Sequence, residues 1–117
     1  MQRIVLVEDD LNVAEGVVQL LALEGVEVSH VSFGGDAESA VARFDPDAVL
    51  LDLNLPDEDG TAVYRRIAAR WPKLPVVFCS GDPDTTRVLP YLASPNVRLF
   101  RKPYDVDVLL GALREMA

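Results

Sequence analysis

One cysteine, Cys79, is the whole thiol content of this 117-residue chain. An intramolecular disulfide is therefore impossible, and a cytoplasmic setting fits best. Long apolar runs are lacking too. None approaches the ~20 residues of a membrane span, so no membrane association is expected. The stretch MQRIVLVEDD runs straight into acids and shows no signal-peptide pattern. Positive charge is scarce: 11 Lys and Arg stand against 19 Asp and Glu, for a net charge of −8. Surfaces that grip phosphate backbones are basic, so direct nucleic-acid binding by this chain is disfavoured. An acidic surface suits solubility, protein partners or bound cations. No linker, low-complexity tract or repeat interrupts the chain, and residues 1–117 read as one domain.

What is present is apolar material, 50% of the residues, in a chain long enough to bury roughly two-thirds of its unfolded surface. Ile4-Val5-Leu6-Val7 is a short continuous apolar run, as in a central parallel strand. Asn12 with Glu15 resembles a capping box for a first helix, which carries Val13, Val17, Leu20 and Leu21 at helical spacing and stops at Gly25. Val26–Val31 is a second strand. Ala37, Ala40, Val41 and Phe44 mark a second helix ending before Pro46, and Ala48–Leu51 a third strand. Asp59 caps a third helix lined by Val63, Ile67 and Trp71. Val76–Cys79 and Val97–Phe100 are the fourth and fifth strands. Residues 84–92 should be helical, with Pro90 shortening or kinking the helix. Asp105 caps a last helix with Val106, Leu109, Leu110 and Leu113. Five β/α units with short links predict an α/β fold, a doubly wound five-stranded parallel sheet with helices on both faces.

In such a sheet ligands bind beyond the C-terminal ends of the strands. The residues there are Glu8-Asp9-Asp10, Asp52, Ser80 and Lys102. Aspartates gathered at one edge repel and raise one another's pKa. A hard divalent cation with oxygen ligands, Mg²⁺, relieves this. A lysine suits a phosphate oxygen, and a hydroxyl can donate to another. A carboxylate among these groups is equipped to attack phosphorus, and Asp52 is the candidate nucleophile.

These residues carry a resemblance. Glu8-Asp9-Asp10, the Asp52…Pro56…Gly60 stretch, Ser80-Gly81 and Lys102-Pro103 resemble, in order and at strand ends, the response-regulator receiver domain of bacterial two-component signalling. The resemblance spans essentially the whole chain. It implies the flavodoxin-like three-layer sandwich with five helices and strand order 2-1-3-4-5. It also implies a phospho-accepting switch that catalyses its own phosphorylation and dephosphorylation without being a turnover enzyme. Asp52 would accept phosphate from a sensor histidine kinase or histidine phosphotransfer protein. Asp9 or Asp10 would hold Mg²⁺, or Mn²⁺ in its place, with Asp52 and the backbone carbonyl of Asn54; the position matching Asp10 is the usual direct ligand. Ser80 and Lys102 would bind the phosphoryl group, Gly81 would leave room for it, and the Lys102–Pro103 bond would be cis. Asn54 and Asp82 occupy the positions that tune dephosphorylation. The aromatic switch position is atypical, with Leu99 three residues before the lysine and Phe100 beside it. Glu58 replaces a usually apolar turn residue.

Plainer expectations attach to the remaining residues. His30 reads as structural, Cys79 as a small buried residue, and Trp71 as the last core anchor of the third helix. Arg65, Arg66 and Arg70 read as a solvated face, and Asp57 and Glu58 as solvated turn residues. Leu11, Val18 and Ala22 widen the apolar stripe of the first helix, either as a wide buried face or as a docking surface for a kinase helix. Output and homodimer formation stay open, as does whether the chain stands alone or belongs to a longer protein. Two rival functions fit less well. An aspartate-nucleophile phosphatase would want a second Asp where Asn54 stands, and Glu8-Asp9-Asp10 would repel the phosphate of a flavin.

Overall fold

Five parallel strands form one sheet in the order β2-β1-β3-β4-β5 in the computed structural model, which describes residues 2–116. They are β1 (Arg3–Val7), β2 (Glu27–Val31), β3 (Ala48–Asp52), β4 (Val76–Ser80) and β5 (Val97–Arg101). The helices are α1 (Leu11–Leu23), α2 (Ala37–Phe44), α3 (Gly60–Arg70) and α4 (Val106–Met116). The expected helix over 84–92 is a 3₁₀ helix, Thr86–Tyr91. Pro90 inside it has no N–H to give an α-helical ladder, and 3₁₀ geometry suits so short a segment. Its Val88 is fully buried and keeps the segment on the sheet. A short 3₁₀ turn, Gly34–Asp36, leads into α2, so among the described residues each strand is followed by a helical segment that is α-helical in four cases and 3₁₀ in one.

Side-chain alternation divides the core into two layers. Val5, Val7, Val49, Leu51, Val76 and Phe78 point to the face covered by α2, α3 and the 3₁₀ helix. Ile4, Leu6, Ala48, Leu50, Val77 and Cys79 point to the face covered by α1 and α4. Every residue of β3 and β4 is buried, which is why both strands read as apolar runs up to their last residues, Asp52 and Ser80. The edge strands β2 and β5 are half-exposed and correspondingly mixed in composition.

The helix ends follow local chemistry. Asp59 accepts from the Thr61 N–H at 2.8 Å and caps α3, as its position predicts. Asp105 accepts from the Asp107 N–H at 2.8 Å at the start of α4. Gly25, at φ +76°, closes α1. The cap of α1 differs from expectation. It is Asp10, whose carboxylate accepts from the N–H groups of Asn12 at 3.0 Å and Val13 at 3.2 Å. The helix starts directly after the strand-end acids, so Asn12 already lies inside it.

Gly60 is the close approach that lets α3 begin. A Cβ there would lie 2.5 Å from the Asp52 carbonyl oxygen and 2.8 Å from the Leu53 Cα, both backbone atoms that cannot step aside. We expect Gly60→Ala to lower stability by about 1–3 kcal/mol. The urea midpoint should fall with an unchanged slope; an unchanged midpoint would show that the turn relaxes freely.

Candidate functional site

Register builds the site. Val7 pairs with Leu51 across β1 and β3, so the next residues outward are Glu8 and Asp52. Both have the parity of Leu6 and Leu50, and Lys102 has that of Phe100, so all three side chains lie toward the α1/α4 side. Asp52 is 6% exposed and Glu8 2%. The Lys102 ammonium lies between them, 2.5 Å from Glu8 Oε1 and 3.1 Å from Asp52 Oδ2. The other Asp52 oxygen accepts from the Asn54 N–H at 3.1 Å. The second Glu8 oxygen accepts from the Asp10 N–H at 3.2 Å.

Burial pushes the Glu8 carboxyl up to about 7; the Lys102 hydrogen bond pulls it back, and the Asp52 carboxylate adds to the rise. Burial alone would lower the Lys102 pKa. Its bond to Glu8 and the Asp52 charge outweigh that, so the ammonium is held charged. A positive charge pinned between two acids is what lets them share one edge of the sheet.

Three carboxylates, from Glu8, Asp9 and Asp52, bring oxygens within 4.8 Å of one another. Asp10 is outside this group. One of its oxygens accepts from the first N–H groups of α1, and Glu8 is the acid that meets Asp9 and Asp52. The signal was present: Glu8 continues the Ile4-Leu6 parity of β1, whereas Asp10 is already at the helix. Ser80 is 1% exposed and its Oγ accepts from the Asp82 N–H at 3.0 Å. Gly81 is exposed, and a Cβ there would meet no atom within 4 Å. The Lys102–Pro103 peptide is cis.

Leu99 and Phe100 lie on opposite faces of β5. Leu99 packs in the layer of Phe78, where Tyr64 and Tyr91 also pack. Phe100 meets Tyr104 edge-on at 6.4 Å on the other side. Alternation therefore bars Phe100 from standing in at the Leu99 position. His30 is half-buried, with Nε2 2.7 Å from the Glu8 carbonyl.

The arginine face and the acidic turn are solvated as expected, with Arg65, Arg70 and Asp57 exposed, and surface bonds run across them. Arg66 pairs with Glu58 at 2.5 Å and Glu38 at 2.7 Å, and Arg70 lies 3.6 Å from Glu38. Arg65 donates to the Tyr91 hydroxyl at 2.9 Å. Asp57 accepts from the N–H groups of Gly34 and Gly35, each at 2.9 Å, which hold its carboxyl below the usual range. Spacing along one helix could not show these links, because the acids come from other segments.

On α1, Val18 packs against the core, while Leu11, Leu20 and Leu23 are exposed. Beside them a groove of about 390 Å³ runs between α1 and the segment after β5, lined by Val13, Val17, Leu20, Tyr104 and Val106 among others. Cys79 is buried as expected, and burial pushes its thiol up to about 12. The folded protein should therefore resist a thiol-specific reagent at neutral pH and react with one equivalent once denatured. Prompt labelling of the native protein would contradict this.

An open parallel sheet with a buried carboxylate, a lysine and an acidic cluster at its C-terminal edge is the architecture of a signalling receiver. The chain belongs to the response regulator receiver domain family, which it matches over residues 4–114, and these are the regulators of two-component systems. It is 37% identical over 89 residues to the transcriptional regulatory protein RstA of Escherichia coli K12, covering 76% of this chain and 37% of that protein. To the transcriptional regulatory protein DegU of Brevibacillus brevis it is 31% identical over 118 residues, covering 98% of this chain and 50% of that one. The chain thus spans half or less of the length of these relatives. Among solved structures, the BeF3-activated N-terminal receiver domain of Klebsiella pneumoniae RstA superposes with a TM-score of 0.87 at 31% identity, covering 97% of both chains. Among the described residues no helix is long and apolar enough to cross a membrane.

Proposed function

We propose that residues 1–117 form a cytoplasmic phospho-accepting switch in which Asp52 takes a phosphoryl group from the phosphohistidine of a sensor kinase or phosphotransfer protein. The observation that carries this reading is the Asp52 carboxylate, buried at the sheet edge between the Lys102 ammonium and the Asn54 N–H, beside Glu8 and Asp9. An Asp52 oxygen attacks phosphorus in line, the P–N bond to the histidine breaks, and its electron pair returns to the imidazole. Lys102 then offers its charge to a phosphoryl oxygen, and Ser80 its hydroxyl. Gly81 leaves the approach open.

Three close carboxylates of hard oxygen donors fit a divalent cation such as Mg²⁺ or Mn²⁺, held by Glu8, Asp9 and Asp52 with the Asn54 carbonyl. When bound, such an ion would neutralise charge on the transferring phosphoryl oxygens. The BeF3-activated state named for the Klebsiella receiver supports the phosphoryl reading, since that fluoride stands in for a phosphoryl group on a carboxylate. The exposed leucines and groove on α1 suit the docking of a kinase or phosphotransfer helix next to Asp52. Output through a further segment or by homodimer formation would follow from the change in this domain's surface.

The test is intact mass after incubation with a small acyl-phosphate donor, with and without Mg²⁺. A single, metal-dependent phosphoryl adduct is expected. No adduct under saturating donor would remove the reading.

A further inference from the structure

Arg87, on the 3₁₀ helix after β4, reaches across to the loop after β3. One of its nitrogens, Nη2, lies 2.5 Å from the Asn54 side-chain oxygen and 3.4 Å from the Leu53 carbonyl. Its Nε lies 3.1 Å from the Asp59 carboxylate. Asn54 is two residues past Asp52, and its own N–H already holds an Asp52 oxygen. Asn54 also bridges to Asp59, so the loop closes on itself where the guanidinium sits.

A guanidinium only donates, so the carboxamide must turn its oxygen toward Arg87. Two residues past the acceptor, that oxygen would receive an O–H from a water approaching behind phosphorus. Arg87 occupies it. The NH2 end left free can donate but cannot take a proton from water. We infer that Arg87 is a positioning residue that sets the lifetime of the phosphorylated state by pinning Asn54. This rests on the phospho-acceptor reading of Asp52. In hydrolysis the water oxygen bonds to phosphorus, the bond from phosphorus to the Asp52 oxygen breaks, and its electron pair returns to the carboxylate. The water proton leaves to solvent, and inorganic phosphate departs. Freeing the Asn54 oxygen helps orient that water.

The test follows the decay of the adduct by intact mass after the acyl-phosphate donor is removed. Arg87→Ala should shorten its lifetime roughly threefold or more, the scale set by one lost hydrogen bond. Arg87→Lys keeps a charge beside Asp59 but lacks the fork that spans to Asn54; it should behave likewise, and it decides the matter if the alanine variant does not fold. In an Asn54→Ala background the same Arg87 substitutions should change nothing. Decay at the wild-type rate in both Arg87 variants would overturn the inference while leaving the receiver reading intact. Equal acceleration with Asn54 absent would also overturn it, by showing that Arg87 acts through Asp59 or Leu53 instead. A wild-type chain that takes up no phosphoryl group would overturn both.

Discussion

Asp52→Asn should leave a chain that folds and takes up no phosphoryl group, with or without Mg²⁺. The substitution keeps the shape of the side chain and removes the nucleophile, because an amide does not attack phosphorus at a useful rate. It should not cost stability. Removing one partner of a buried pair is severe when the other is left unpaired, but here Lys102 still has Glu8 at 2.5 Å. The substitution also relieves the crowding of Glu8 by Asp52, one of the influences that raise the Glu8 pKa. A melting midpoint at or above that of wild type is expected, together with loss of the adduct in intact mass. An adduct that persists would place the acceptor elsewhere, and a marked drop in midpoint would mean that Asp52 carries structural weight.

Phe78→Ala should have the largest effect on stability. Phe78 is fully buried in the middle of β4, paired in register with Leu51 on one side and Leu99 on the other. Its ring packs against that of Tyr64 at 5.4 Å and 56°. Truncating a core phenylalanine costs about 3–5 kcal/mol in lost transfer energy and residual cavity. That is a large part of the 5–15 kcal/mol typical of a whole domain. At about 4 °C per kcal/mol for a chain of this length, thermal unfolding should move down by roughly 12–20 °C. A shift of only a few degrees would mean that Tyr64, Tyr91 and Leu99 collapse into the space.

Much of this molecule could be read along the chain. The apolar runs 4–7, 48–51 and 76–79 became the central strands because burial on both faces demands continuous apolar sequence. Caps at Asp59 and Asp105 were legible because their bonds are local. The 3₁₀ form of Thr86–Tyr91 was half-visible: Pro90 announced an interrupted helix but not which form it takes. At the site, Asp52 and Ser80 stood out as polar residues ending apolar strands, and Lys102 as the cation just past the fifth strand. Three acids in a row look alike in sequence, and only geometry separates Glu8 in the cluster, Asp9 at its exposed side and Asp10 on the helix cap.

By itself the sequence determined the α/β alternation, the strand ends where polar chemistry gathers and the family. All of these depend on contacts between near neighbours or on residues that announce themselves by interrupting apolar runs. Tertiary structure alone decided which acids meet and which long side chains close the site. Lys102 reaches Glu8 across 94 positions, Arg66 reaches Glu38 across 28, and Arg87 reaches Asn54 across 33. The ends of a lysine or arginine can go to any acceptor within reach, and reach is set by the register of a parallel sheet whose paired strands lie far apart in the chain.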